Sequence, residues 1–282
     1  MTSRPAWRKY PPETVDLLFT AVDEDDCIDD SVSLPQAIDL SCSGESIRDN
    51  YALCLQYWQE GFTRAELLGL VTRVIQGQTL SEQERRQYKY IRSRYKHLRF
   101  AQRLYGQQHA CSAGLSKTTV FLGRFQDAFR NENISHVTFY GRILRFCLSA
   151  PVWRWVDHSL RHFPLTGERD FIACCQQEMR KLEAFLGKPR LTGREFHAVR
   201  KIVSQQVSYY DTLRALAPDD LQARQISRYL AAINGLMGDR HDEMVSGNLA
   251  GHSDYNAPAP LDAGIRQRLE QFLERYPLGV RQ

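Results

Sequence analysis

Two segments carry basic side chains at spacings that place them on one face of a helix. Residues 195–210 read EFHAVRKIVSQQVSYY and put His197 three residues before Arg200, with Lys201 next. A longer series follows the same spacing and consists of Arg85, Lys89, Arg92, Lys96, Arg99 and Arg103. Lysine ammonium groups and two-pronged arginine guanidinium groups are the side chains that hold phosphate oxygens.

The longer series predicts a binding surface for a polyanion. On a helix its six cations fall within about 80° of arc and span about 27 Å. Residues 85–126 contain ten Lys or Arg and no acid. A solvated helix face usually alternates Glu with Lys, because like charges at i, i+4 destabilise a helix by a few tenths of a kcal/mol per pair. A face without acids therefore favours a negatively charged partner.

Composition predicts a soluble globular protein. The chain has 282 residues, of which 43% are hydrophobic and 11% aromatic. No apolar run reaches the ~18 residues that a membrane span needs, and the first residues lack the apolar stretch of a signal peptide. The seven cysteines include no C-x-x-C pair, which is typical of reduced thiols. We expect a cytoplasmic protein that neither binds a membrane nor carries a cofactor.

Charge is distributed unevenly along the chain. The first 50 residues contain eleven acids and four Lys or Arg, whereas the whole chain has a net charge of +4. The acids concentrate in DEDDCIDD, residues 23–30. Because so dense a block of like charge usually stays solvated, residues 1–48 are predicted to form a largely irregular acidic arm. In the free protein this arm could occupy the basic surface, from which a polyanion would displace it.

From residue 49 onward the periodicity is helical, and the chain is predicted to be all-α. Apolar residues recur three and four apart, and no convincing period-two run of β-branched residues occurs. Thr63 with Glu66, and Ser81 with Glu84, have the spacing of capping boxes that begin helices. Gly106 is a typical helix stop, and later helices are predicted over about residues 219–238 and 261–276. Residues 49–282 are thus predicted to form one helical domain.

An internal repeat predicts that this domain consists of two similar halves. At an offset of 108 residues Tyr88 falls on Phe196, Ile91 on Val199 and Arg92 on Arg200. The match continues to Val137 and Val245 without a gap. Repeat 1 covers about residues 84–155 and repeat 2 about residues 168–276. Lys89 then corresponds to His197.

At these residues the sequence resembles the CHAD family, the conserved histidine α-helical domain. The resemblance covers roughly residues 84–276 and lies in FHAVRK and INGLMGDRHDEMV of the second copy and in YKYIRSRYKHLRF and FQDAFRNENISHV of the first. It implies two four-helix halves around a basic cavity that binds inorganic polyphosphate without catalysis. The residues that the resemblance places at the cavity are Lys89, Arg92, Lys96, His97, Arg99, His197, Arg200 and Lys201. The second copy has Ser204, Gln205 and Val207 where further basic residues are expected, which predicts weaker binding there.

Two other functions remain open. The same basic face could bind nucleic acid, and Tyr88, Tyr90 and Tyr95 interleave its cations as stacking residues would. An all-helical HD-type metal-dependent phosphohydrolase would need a histidine, a His-Asp doublet and a distant carboxylate. His197, the doublet His241-Asp242, and Asp254 or Asp262 could fill those roles. We favour non-catalytic polyanion binding, with no catalytic or metal-binding residues.

A second histidine pair and the acidic block give weaker signals for a metal. His158 and His162 are four residues apart but lack the Glu of a zinc-protease motif. The block DEDDCIDD lacks the spaced Asp, Asn and Gly of a calcium loop. Neither pattern predicts a metal site.

Overall fold

A computed structural model describes residues 7–279 except residues 26, 30, 250 and 253. The described chain is all-helical, as predicted, and its only β pairings are isolated bridges between Gly106 and Leu165 and between Leu191 and Ala259. The helices are α1 (Pro12–Asp23), α2 (Gly44–Glu60), α3 (Arg64–Ile75), α4 (Glu82–Tyr105), α5 (Ala113–Arg130), α6 (Ile134–Cys147), α7 (Ala150–Arg161), α8 (Glu168–Leu186), α9 (Gly193–Leu216), α10 (Leu221–Leu249) and α11 (Ala263–Arg275).

Capping boxes begin three of these helices. The hydroxyl of Thr63 accepts a hydrogen bond from the Glu66 amide, and the Glu66 carboxylate accepts one from the Thr63 amide. Ser81 does the same with Glu84 at the start of α4. Both boxes confirm the predictions, as does the end of α4 at Gly106. Thr192 and Glu195 form a third box that begins α9.

The chain divides into two compact units, and each unit is made of two separate stretches of sequence. Unit 1 combines residues 45–166 with the described part of residues 1–11. Its helices α3, α4, α5 and α6 form a closed ring, because each packs on the next and α6 packs on α3. Unit 2 combines residues 12–44 with the described part of residues 167–282. Helices α8, α9, α10 and α11 close a ring in the same order, and α1 packs on α9.

Aromatic side chains fill the core of unit 1. The indole of Trp58 stacks on Trp153 at a centroid distance of 5.1 Å and meets the ring of Tyr95 edge-on at 5.6 Å. Phe62 packs against the same three rings. These contacts fix α2 and α7 to the apolar side of α4, so the opposite side of α4 carries its basic residues.

Polar side chains enter the core of unit 2 along α9. Residues 202–212 of this helix are all buried, and they include Ser204, Gln205, Gln206 and Asp211. The hydroxyl of Ser204 donates to the side-chain oxygen of Asn234 at 2.7 Å. The sequence has no basic residue in this part of α9, and the structure shows that this part of the helix is buried on all sides.

The prediction of an irregular arm over residues 1–48 is wrong for residues 12–23, which form α1, and for residues 44–48, which begin α2. Leu18 and Ala21 of this helix are fully buried, and residues 12–44 belong to unit 2 instead of forming a separate segment. The apolar run LLFTAV supplies a buried helix face that the neighbouring acids obscure in the sequence.

The internal repeat stays a prediction, although the two rings share their helix order. Helices α4 and α9 both have 24 residues, and their N-caps Ser81 and Thr192 lie 111 residues apart. Helices α5 and α10 begin 108 residues apart, at Ala113 and Leu221. The turn between the paired helices is three residues longer in unit 1, so a single gapless offset does not match both helix starts.

Within the described ranges no helix is long and apolar enough to cross a membrane.

Candidate polyanion-binding surface

Helix α4 presents the predicted basic residues on the side away from its buried rings. We call Arg85, Lys89, Arg92, Lys96, Arg99 and Arg103 the α4 basic face. Arg85 and Lys89 are exposed, and the other four are half-buried. Tyr88, Ile91 and Tyr95 lie on the adjoining face of the helix and are fully buried. The helical periodicity of the sequence therefore separates the cations from the core as expected.

Helix α5 fixes the middle of this face. A guanidinium nitrogen of Arg92 donates to the side-chain oxygen of Gln126 at 3.1 Å. A Cβ at Gly123 would stand 3.6 Å from Nε of Arg92, so the guanidinium group lies directly over this glycine. The hydroxyl of Tyr88 donates to the main-chain oxygen of Leu122 at 2.9 Å and holds the two helices in register. Neither Gln126 nor Gly123 was predicted to be a site residue, because their role depends on helix packing.

The C-terminal half of the face is partly anchored in the protein. The ammonium group of Lys96 lies 5.7 Å from the ring centre of Phe100. The Nε of Arg99 is buried and has no hydrogen-bond partner among the described residues. Because an arginine stem that is packed in place loses less rotamer freedom when a ligand binds, Arg99 is a preorganised cation.

Four cations of this face have no carboxylate beside them. In the part of the chain that the structure describes, no carboxylate oxygen lies within 4.0 Å of the side-chain nitrogens of Arg85, Lys89, Arg92 or Arg99. Other basic residues near the start of α4 are paired, since Arg73 contacts Glu84, and Arg86 lies 3.8 Å from Glu82. The positive charge of these four residues thus lies on one side of the helix without a carboxylate beside it among the described residues.

His97 does not belong to this surface, which corrects the sequence-based assignment. Its side chain is only 3% exposed, and its ring meets that of Tyr57 edge-on at 5.7 Å. Burial, together with the charges of Lys96 and Arg94, lowers the pKa of His97 to about 3. A neutral, buried imidazole cannot contribute charge to a phosphate site. The residue is rotated about 100° from Lys96, which turns it towards α2.

In unit 2 the predicted residues His197, Arg200 and Lys201 lie at the start of α9. Lys201 is exposed, and Arg200 is half-buried with an Nε that has no hydrogen-bond partner among the described residues. A Cβ at Gly238 would stand 3.0 Å from the guanidinium group of Arg200, so this glycine leaves the space that the arginine occupies. Gly238 is the sequence position where α10 was expected to end, but the helix continues to Leu249.

His197 stands beside a second histidine. Its ring centre lies 5.2 Å from that of His241. Nε2 of His241 lies 3.4 Å from the hydroxyl of Tyr255, and this hydroxyl donates to the main-chain oxygen of Gly193 at 2.9 Å. The structure therefore brings His197 next to His241 of the His-Asp doublet, an arrangement that the phosphohydrolase hypothesis requires.

The carboxylates that this hypothesis requires have other contacts. Asp262 caps α11 by accepting hydrogen bonds from the amides of Gly264 and Ile265. Asp254 accepts a hydrogen bond from the amide of Asn256 at 2.8 Å. Within the described residues no group of three or more His, Cys, Asp and Glu side chains could hold a metal ion.

The acidic block pairs with basic residues of its own unit. Glu24 lies 2.8 Å from the guanidinium group of Arg214 and 3.5 Å from that of Arg228, and Asp29 lies 3.0 Å from Arg228. Asp26 and Asp30 lie outside the described residues. The sequence identified neither Arg214 nor Arg228. These pairs place the carboxylates of Glu24 and Asp29 against α9 and α10.

A buried pair of carboxyl groups lies next to these ion pairs. The carboxyl of Asp211 is hydrogen-bonded to that of Asp25 and accepts a hydrogen bond from the hydroxyl of Ser227 at 2.7 Å. Burial raises the pKa of Asp211, and the charge of Glu24 raises it further, against the lowering effects of Asp25, Ser227 and Arg214. Two carboxyl groups in hydrogen-bond contact must share a proton.

We expect Asp211→Asn to stabilise the protein at neutral pH. The folded state binds a proton on Asp211 that the unfolded state releases above its ordinary pKa of 3.8. Stability is therefore highest at low pH and falls as the pH rises towards the raised pKa, by about 1.4 kcal/mol for each unit of the shift. An asparagine amide would donate to Asp25 at any pH. The free energy of unfolding, followed by circular dichroism across pH 4–8, measures this.

A matched substitution should act in the opposite direction. Hydrogen bonds from Ser41 lower the pKa of Asp39, so Asp39→Asn should destabilise the protein above pH 4. If Asp211→Asn lowered stability at pH 7 as well, the shared proton would be refuted.

Comparisons with known proteins found no match, whether among family models, curated proteins or solved structures. The resemblance to the CHAD family therefore remains an expectation that is based on sequence motifs. Function has to be inferred from the geometry of the two units.

Proposed function

We propose that the protein binds a linear polyanion, in the first place inorganic polyphosphate, along the α4 basic face, without catalysis. The observation that carries the proposal is the set of four cations, Arg85, Lys89, Arg92 and Arg99, that have no carboxylate within 4.0 Å among the described residues. Unneutralised like charges on one helix face cost stability, and a bound polyanion removes that cost.

The chemistry of a phosphate chain suits this face. Such a chain carries about one charge per phosphate and offers oxygens all along its length, so a row of cations along a helix can contact it repeatedly. Arginine supplies two-pronged hydrogen bonds and lysine supplies a mobile point charge. Arg92, which Gln126 orients, and Arg99, whose stem is buried, are already positioned to bind.

Unit 2 offers a smaller surface of the same kind. Arg200 and Lys201 carry permanent charge there, and His197 adds a third nitrogen base. The following turns of α9 are buried and contain no basic residue. This surface is expected to contribute less affinity than the α4 basic face.

Nucleic acid is the second candidate, and the burial of two of the three interleaved tyrosines disfavours it. Single-stranded nucleic acid is usually held by aromatic rings that stack on bases. Tyr88 and Tyr95 are 1% and 2% exposed, so neither can stack on a base. A phosphate chain has no bases and does not need them.

The test is equilibrium binding of labelled long-chain polyphosphate, single-stranded RNA and duplex DNA of equal total charge over a salt series. The double variant Lys89→Glu/Lys96→Glu should weaken polyphosphate binding by roughly 100-fold, at about 1.4 kcal/mol for each reversed charge. The salt dependence should also become less steep, by analogy with counterion release. Both lysines are used in place of Arg99 because Nε of Arg99 is buried, and reversal of its charge would disturb packing.

A control with the same change of charge separates a site from general attraction. Arg142 and Arg145 are exposed on α6 of the same unit. Arg142→Glu/Arg145→Glu should leave most of the affinity intact. Equal losses in the two double variants, or tighter binding of RNA than of polyphosphate, would contradict the proposal.

A further inference from the structure

Unit 1 contains a cavity that the α4 basic face does not account for. It has a volume of about 680 Å³ and lies where α3 and α5 end and α4 and α6 begin. Its lining includes Val74, Leu80, Arg85, Gln126, Phe129, Arg130, Glu132, Ile134, Val137 and Thr138. Cavities that bind small ligands have volumes of about 300–1,000 Å³.

The lining combines an apolar wall with a net positive charge. Val74, Leu80 and Val137 come from the unit's core, and Phe129 adds an aromatic face. Two arginines and one glutamate line the cavity, so its formal charge is +1. Of these groups, Arg85 has no carboxylate within 4.0 Å among the described residues. An apolar wall with one available cation is the pattern that binds an anion with a hydrocarbon body.

Hydrogen bonds hold the two turns that border the cavity. The amide of Gln78 donates to the oxygen of Arg73 at 3.0 Å, and the amide of Asn133 donates to the oxygen of Ala128 at 2.9 Å. Gly77 has a φ of 78° and Glu132 a φ of 54°. Glu132 thus adopts a left-handed conformation that favours glycine, so the surrounding structure has to hold it there. The cavity is therefore built into the fold of the turns.

The rim of the cavity is apolar on one side and basic on the other. Ile134 is 80% exposed at the first position of α6, where solvent exposure of a large aliphatic side chain has no structural benefit. Gln126 lines the cavity and also contacts the α4 basic face, since its side-chain oxygen accepts the hydrogen bond from Arg92. An apolar ligand could thus enter past Ile134 while its charged end remains beside Arg85.

We propose that this cavity binds a single-headed amphipathic anion. The hydrocarbon body lies against Val74, Phe129 and Val137, and the headgroup, a carboxylate or a phosphate, binds Arg85. One headgroup is favoured over several, because the net charge of the lining is only +1. The proposal rests on the cavity and does not require that polyphosphate binds to the α4 basic face.

Calorimetric titration of the full chain tests the proposal with four probes. Dodecanoate and dodecyl phosphate, kept below their micelle concentrations, should bind with one site per chain. Dodecyltrimethylammonium has the same tail with the opposite charge, and inorganic phosphate has a headgroup without a tail. Both should bind at least tenfold more weakly, because the first lacks the anionic headgroup and the second lacks the hydrocarbon tail. The better of the two anionic amphiphiles identifies the headgroup.

Three variants locate the site. Arg85→Gln should weaken both anionic amphiphiles by roughly tenfold, the loss of one charge-assisted hydrogen bond. Thr138→Trp fills the cavity and should abolish binding, whereas polyphosphate binding should remain. If Thr138→Trp does not fold, Ile134→Asp supplies the same test, because it places a negative charge at an exposed position on the rim. Lys117→Gln removes an exposed cation of α5 that does not line the cavity, and it should have no effect.

Several outcomes would overturn the inference. Equal binding of the cationic amphiphile would show that the protein absorbs hydrocarbon chains without regard to charge. Unchanged dodecanoate and dodecyl phosphate binding in the folded Thr138→Trp or Ile134→Asp protein would place the site elsewhere. Failure of polyphosphate to bind the wild-type chain, with the amphiphile results as expected, would remove the proposed function alone.

Discussion

Unit 1 should lose stability when the pH falls below about 6.5, because its folded state holds His97 as a neutral imidazole. The pKa of His97 is about 3 in the folded protein against an ordinary value of 6.5, and burial is the main cause. As the pH falls below 6.5, the unfolded chain therefore binds a proton on His97, whereas the folded chain does not. Stability is complete above pH 6.5 and is lost as the pH falls towards 3, by roughly 5 kcal/mol in all.

Tryptophan fluorescence measures this loss, since all four tryptophans, Trp7, Trp58, Trp153 and Trp155, belong to unit 1. Urea unfolding at pH 7.5, 6.0 and 5.0 should give midpoints that decrease with pH. The substitution His97→Leu removes the titrating group and should flatten the dependence. The same substitution at the exposed His136 of α6 is the control and should leave the slope as in the wild type. An unchanged slope in His97→Leu would assign the acid sensitivity to another group.

Removal of residues 1–35 should abolish the cooperative unfolding of unit 2. The segment contributes Leu18, which is 0% exposed, and its loss resembles a large-to-small core substitution that costs about 2–5 kcal/mol. It also contributes Glu24, the partner of Arg214, whose side chain is only 11% exposed. A cation left half-enclosed without its carboxylate adds to the cost. Together these losses approach the ~5–15 kcal/mol by which a domain is stable.

Circular dichroism at 222 nm measures this unfolding. A double substitution that leaves the segment in place tests the ion pairs separately. Glu24→Gln/Asp29→Asn keeps α1 and removes the ion pairs with Arg214 and Arg228. It should shift the unfolding midpoint by much less than the truncation does, because Glu24 and Asp29 are about a third exposed and the pairs are screened. A truncated protein that retained the full helical signal and a single sharp transition would show that residues 1–35 are dispensable.

The truncation result also decides between two roles of the acidic block. If the block covered a polyanion site and did nothing else, its removal would tighten polyphosphate binding and leave the fold intact. The described pairs with Arg214 and Arg228 indicate that it stabilises unit 2 instead.

Most of the helices followed from the sequence because their signals are local. The capping boxes at Thr63 and Ser81 and the stop at Gly106 depend on residues within one turn of each other. The separation of the α4 cations from Tyr88 and Tyr95 follows from the helical period alone. Such features need no knowledge of the packing of other helices.

The wrong predictions concern residues whose position depends on packing against another helix. His97 is adjacent to Lys96 in sequence, and only the position of Tyr57 on α2 shows that its ring is buried. Helix α1 was not predicted, because its buried face is short and borders a dense run of acids. Helix α10 continues past Gly238, where it was expected to end, and this glycine accommodates the side chain of Arg200. In each case long-range packing overrode the local pattern.

The division of unit 2 between both ends of the chain constrains how the protein can fold as it is synthesised. Residues 45–166 of unit 1 leave the ribosome as one stretch and can assemble early. Residues 12–44 leave the ribosome before them, yet α9, on which α1 packs, ends only at Leu216. At about 5–20 residues per second the nascent segment waits for roughly 10–40 seconds before α9 is complete. We expect the acids of residues 23–30 to oppose aggregation during that interval, because net charge keeps exposed chains apart, and Glu24 to pair with Arg214 only afterwards.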